Sequence, residues 1–169
     1  IEYDEDTLEF FIDEADEVIP MLKHNFQLWK DGEDSKSLVE TIKRQMHTLK
    51  GSANLCRATN VGKITHHMED FLDSLSVGLI DDKEGAIALT NACIRYIEYG
   101  TKQAKLFAPC NSDDRLSKCL LSAIATNKVD LSILDLGIDD IEPENETVTA
   151  SDLYNDLKPD FLNAPLVED

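Results

Sequence analysis

The stretch Ile42-Lys43-Arg44-Gln45-Met46-His47-Thr48-Leu49-Lys50-Gly51-Ser52-Ala53-Asn54-Leu55-Cys56 decides the fold. Leu38, Ile42, Met46, Leu49, Ala53 and Cys56 recur at steps of four and three, the apolar stripe of an amphipathic helix. Beside it runs a polar stripe at the same steps: Lys43, His47, Lys50, Gly51 and Asn54. Glycine inside a helix costs about 1 kcal/mol relative to alanine. Helical side chains lean toward the N-terminus, so a side chain at position 51 would lean over His47. Gly51 leaves that imidazole open to close approach. An ordinary amphipathic helix with a surface histidine is the plain reading; the His-x-x-Lys-Gly grouping sets this helix apart.

Working outward, the helix is expected over 35–57, capped by Asp34 or Ser35. A break at Ala58-Thr59 follows, with Asn60 as the expected cap of a third helix over 61–75. Its apolar stripe is Val61, Ile64, Met68, Phe71, Leu72 and Leu75. So short a connection makes the two helices antiparallel neighbours. His66 and Glu69 are three residues apart and share one face. Antiparallel packing brings His47, Lys50, His66 and Glu69 to one edge of a bundle. A carboxylate accepting the Nδ1–H of His47 would hold one tautomer and turn the Nε2 lone pair outward as a nucleophile. Lys50 would stabilise negative charge arriving there.

Before this pair, a helix over 7–30 carries Leu8, Phe11, Ile12, Ala15, Ile19, Leu22, Phe26 and Trp29 on one face. Asp6 with Glu9 reads as a capping box, Pro20 as a kink and Gly32 as the C′ residue. After it, a fourth helix starts behind Asp81-Asp82 and runs to about Phe107, where Pro109 stops it. A short fifth helix spans 113–126. No strand alternation stands out before Lys128. The expected fold is all-α: an antiparallel four-helix bundle with a short fifth helix (1–127), then an acidic, mostly irregular tail (128–169) whose apolar residues could dock on the bundle.

The net charge is −18, of which −10 lies from Lys128 onward, where twelve acids face two lysines. This balance opposes nucleic-acid binding, which needs a basic footprint. No apolar run approaches the ~18 residues of a membrane span. Cys56, Cys93, Cys110 and Cys119 show no Cys-x-x-Cys spacing and read as reduced cysteines of a cytoplasmic protein.

His47-Thr-Leu-Lys50-Gly51-Ser-Ala53 resembles the signature of histidine phosphotransfer (HPt) domains. Val61-Gly-Lys-Ile-Thr-His66-His67-Met68-Glu69-Asp70 resembles the chemotaxis-kinase, or CheA-like, branch, and the two blocks together are similar to large hybrid kinases controlling type IV pili. The resemblance implies an antiparallel four-helix bundle over about residues 5 to 108 in which His47 carries phosphate. It implies a catalytic quartet of His47, Lys50, His66 and Glu69, with Lys43, Gly51 and Asn54 open to a docking partner. The implied partners are a histidine kinase catalytic domain, which donates phosphate from ATP, and a response-regulator receiver domain, whose aspartate accepts it. ATP and Mg²⁺ would be bound by those partners, with no cofactor or metal in this domain. No glycine-rich nucleotide loop is present, so the domain is a phosphocarrier and not a complete enzyme. Pro20 departs from the family pattern, and His67 has no role in it and reads as a surface residue.

Three other readings compete. A phosphorelay intermediate would keep His47 but load it from a receiver aspartate; the His66/Glu69 pair favours the kinase-substrate branch. A non-phosphorylated helical interaction module would not need His47, Lys50 and Gly51 together. A metal site from His66, His67 and Glu69 is opposed by geometry, since adjacent helical residues point about 100° apart.

Overall fold

Aspartates set where most of the helices begin. The computed structural model describes residues 3–134. It contains α1 (Glu5–Lys30), α2 (Ser35–Leu55), α3 (Thr59–Ser76), α4 (Lys83–Lys105) and α5 (Asp114–Thr126). The side chains of Asp4, Asp34, Asp82 and Asp113 accept the backbone N–H of Asp6, Ser37, Gly85 and Leu116, satisfying donors that a helix start leaves orphaned. The expected box at Asp6 gives way to Asp4, two residues earlier. The expected cap at Asn60 is also absent. α3 starts at Thr59 behind Ala58 with no side-chain cap; Asn60 lies inside the helix, and its amide N–H donates to the Cys110 carbonyl at 2.8 Å.

α1 continues through Pro20, which sits on the exposed face where the carbonyl it leaves unpaired can be hydrated. The helix ends at Asp31, and Gly32 takes φ +87° as the C′ residue. On α2, Ile42, Met46, Leu49 and Ala53 are fully buried. Burying each large apolar side chain stabilises by about 1.5–3 kcal/mol, which outweighs the ~1 kcal/mol that Gly51 costs the helix.

α1 packs on α2 and α4, and α3 packs on the same two helices, closing a four-membered ring; α5 leans on α3 and α4. Cross-helix contacts give the direction. Between α2 and α3, Glu40 meets Ser76, Lys43 meets Asp73, His47 meets Glu69, and Asn54 lies over Gly62. Each pair totals 116 in residue number, the mark of one unbroken antiparallel register. Between α1 and α4, Lys23–Glu98 at 3.1 Å and Asp16–Lys105 at 2.7 Å both total 121, again antiparallel.

α3 and α4 approach closely at Gly100, where an added Cβ would lie 2.3 Å from Val61 Cγ2. Overpacking of this kind costs about 1–3 kcal/mol, against the ~1 kcal/mol that alanine returns to a helix. Gly100→Ala is therefore expected to lower the melting temperature; an unchanged or raised value would show that Val61 has room to move.

The expected tail begins in contact with the bundle. Residues 131–134 form one 3₁₀ turn, Leu134 is buried in the core, and Val129, Leu131 and Ile133 pack against it. The Cys119 thiol lies 3.5 Å from the Asp130 carbonyl. The rest of the acidic tail, from Asp135, lies outside the described residues. All four cysteines are free, three of them buried. Among the described residues no helix is long and apolar enough to cross a membrane.

Candidate functional site

The α2–α3 seam carries its polar groups as a ladder, and His47 stands midway along it. Its side chain is 66% exposed, yet Nδ1 lies 3.0 and 3.1 Å from the two carboxylate oxygens of Glu69. Lys50 Nζ holds Glu69 Oε1 at 2.7 Å, and both of these side chains are only about a fifth exposed, at 22% and 21%. Partial burial pushes the Glu69 carboxyl up. The hydrogen bonds from Lys50 and then His47 outweigh it, leaving Glu69 below its ordinary pKa. An ionised carboxylate only accepts, so Nδ1 carries the hydrogen, and in the neutral ring Nε2 is the nitrogen with the free lone pair. The geometry thus makes a surface imidazole of fixed tautomer, nucleophilic at Nε2.

Lys50 has a different position from the one expected. Its ammonium is spent on Glu69, so it orients the carboxylate that orients the imidazole. His66 stands apart from these contacts. The register sets it across from Lys50, and two groups able to carry positive charge do not pair. Lys50 turns to Glu69, while His66 turns to Asp70 on its own helix at 3.7 Å and stays 55% exposed. His66 borders the site without joining the His47–Glu69–Lys50 chain of contacts.

The residues expected at a docking face are placed unequally. Gly51 is exposed, and a Cβ built on it would meet nothing within 4 Å. Lys43 is half-buried and engaged by Asp73 at 2.8 Å and Glu40 at 3.9 Å. Asn54 is exposed, but its amide covers Gly62, where an added Cβ would lie 1.9 Å from Asn54 Oδ1. Lys43 and Asn54 therefore tie the seam, and Gly51 alone of the three is unengaged by the fold.

His67 is not the surface residue expected. Its Nε2 is buried with no hydrogen-bond partner among the described residues. Burial pushes its pKa below the usual histidine value, and His66 and Lys63 push it further the same way. With Glu69 turned to α2 and His66 to Asp70, the three do not converge. Among the described residues no group of three His, Cys, Asp or Glu is placed to hold a metal ion. Sequence reasoning missed Asp73 and the Ser76–Glu40 hydrogen bond. The signal was available: Asp73 follows Glu69 by four, as Lys43 precedes His47 by four.

Comparison with known proteins bears on the family and the fold. The family model for the Hpt domain matches residues 6–104. Chemotaxis protein CheA of Borreliella burgdorferi is 29% identical over 77 residues, which is 46% of this chain and 9% of that relative. The chain thus spans about a tenth of the length of that relative. No solved structure matches.

Proposed function

The chain belongs to the Hpt domain family, and from that premise we propose that His47 is its phosphoacceptor. The observation that carries this reading is the Glu69 carboxylate on Nδ1, which leaves Nε2 as the reactive nitrogen. Nε2 attacks the γ-phosphorus of ATP held by a separate histidine kinase domain of CheA-like type. The N–P bond forms as the P–O bond to the departing ADP breaks. No proton leaves Nε2, and positive charge developing on the ring is met by Glu69 through Nδ1–H. In the second transfer an aspartate of a response-regulator receiver attacks the same phosphorus and the N–P bond breaks, returning the neutral ring. ATP and Mg²⁺ belong to those partners, which makes a cytoplasmic setting the natural one. Lys50 and Glu69 serve as positioning residues, with His66 at the border.

The test is to incubate the chain with a CheA-type kinase domain and labelled ATP. Label that is lost in acid and kept in alkali is expected, as for a phosphoramidate. If none appears, a phosphorylated receiver is offered as donor. Labelling only there would favour the relay reading, and failure with both donors would overturn the proposal in favour of an interaction module.

Gly51 supplies a second test. Since nothing in the fold opposes a Cβ there, Gly51→Ala is expected to stabilise the bundle by about 1 kcal/mol. It should also slow transfer, because the added group leans toward His47. A gain in melting temperature with undiminished transfer would leave the glycine without a docking role.

A further inference from the structure

The cations beside His47 are not equivalent. On its own helix three lie about one turn from it: Lys43, Arg44 and Lys50. Lys43 is held by Asp73 and Glu40, and Lys50 by Glu69. Arg44 is exposed and pairs with no carboxylate among the described residues. Its Nη2 donates at 3.2 Å to the neutral Thr41 hydroxyl. Helix geometry sorts the three by side as well. At about 100° per residue, Lys43 and Lys50 lie roughly 40° and 60° round α2 from His47, toward α3. Arg44 lies roughly 60° round it the other way, with Gly51 roughly 40° round on that same side.

Glu69 holds Nδ1 from the α3 side. In a planar imidazole Nε2 points away from both Nδ1 and Cβ, so it points away from α3, which is the side of Arg44. Helical side chains lean toward the N-terminus, so the imidazole lies over the turn that contains Arg44. Cβ atoms three residues apart on a helix are about 5–6 Å from each other, within the span of arginine's three-methylene stem. A transferring phosphoryl group spreads its negative charge over three oxygens. Guanidinium meets such a group with a planar fork of N–H donors and stays protonated throughout. We propose that Arg44 exchanges the Thr41 hydroxyl for the phosphoryl oxygens as the N–P bond at Nε2 forms and the bond to the leaving group breaks. Arg44 binds charge and keeps all its protons; the covalent change is confined to phosphorus. It thereby takes the part that the sequence assigned to Lys50, whose ammonium is committed to Glu69. This inference rests on His47 being the phosphoacceptor.

The experiment compares the wild type with Arg44→Gln and Arg44→Lys, using two phosphoryl donors. One is ATP with a CheA-type kinase domain. The other is phosphoramidate, a small donor that needs no protein partner; its P–N bond to the departing ammonia breaks as the bond to Nε2 forms. Arg44→Gln is expected to label roughly tenfold more slowly with both donors. The loss falls short of the roughly 10²–10³-fold for an enclosed oxyanion donor because the site is exposed. Arg44→Lys keeps the charge without the fork and should recover part of the rate. With phosphoramidate the deficit should shrink as salt is raised, because salt screens exposed charges. Melting temperatures should agree, since the substitutions remove one exposed hydrogen bond. Equal phosphoramidate rates for wild type and Arg44→Gln would overturn this inference alone, even with a slowed kinase reaction, which would make Arg44 a kinase-docking residue. Absence of label on the wild type from either donor would overturn the acceptor reading, and this inference with it.

Discussion

Replacing His47 by glutamine is expected to reduce phosphoryl labelling of this chain to background while leaving the bundle folded. Glutamine keeps a polar side chain of similar reach but offers no aromatic nitrogen lone pair, so no phosphoramidate can form. The bundle should hardly register the change. The His47 side chain is 66% exposed and contributes nothing to the buried core. Its loss removes one solvent-exposed hydrogen bond, worth at most about 1 kcal/mol. Circular dichroism and thermal melting are the controls, and labelled ATP with a CheA-type kinase domain is the assay. Acid-labile label persisting on the variant would move the acceptor elsewhere. His66 would be the first residue to examine, since it borders the site and is 55% exposed. His67 could not take that role without the fold opening, because its Nε2 is buried.

The residues that could be read in advance are those whose role depends on period. Ile42, Met46, Leu49 and Ala53 recur as helix period requires, and all four are fully buried. The same period aligned His47 with Glu69 once the helices were taken as antiparallel. What escaped depends on single atoms meeting across the chain. Asn60 had a cap's identity, but the helix begins one residue before it, and its amide N–H reaches the Cys110 carbonyl fifty residues away. Lys43 looked like a free cation because Asp73 lies thirty residues on, and their pairing needs the register and not the helix alone. His66 occupies the right stripe, but its ionic partner is Asp70 on its own helix and not a group of the His47–Glu69–Lys50 chain. The docking of Leu134 turns on a few apolar contacts made just before an acidic run whose composition argues for solvent.

Glu69→Ala is expected to slow phosphorylation of His47 by about tenfold with little change in the substrate concentration dependence. In the ground state this exposed bond from Nδ1–H to the carboxylate is worth at most about 1 kcal/mol, and it strengthens toward the roughly 1.5–3 kcal/mol of a charge-assisted bond as positive charge develops on the ring. Each 1.36 kcal/mol lost from the barrier is a factor of ten in rate. The loss falls on the chemical step, because Glu69 touches the ring nitrogen opposite the attack and not the incoming nucleotide. Stability should change less than rate. The Lys50–Glu69 bridge is partly exposed, and such pairs are worth about 0–1 kcal/mol. The pH dependence separates orientation from mere folding. The folded carboxyl titrates below its ordinary value. Its contribution is therefore complete above the unfolded carboxyl's pKa and is lost only as pH falls through the lower folded one. Across neutral pH the ratio of wild-type to Glu69→Ala rates should stay flat. Glu69→Gln, whose carbonyl can still accept from Nδ1–H, should recover part of the rate without the charge. Equal rates for wild type and both variants would remove Glu69 from the mechanism and leave the 3.0 Å contact as a structural tie across the seam.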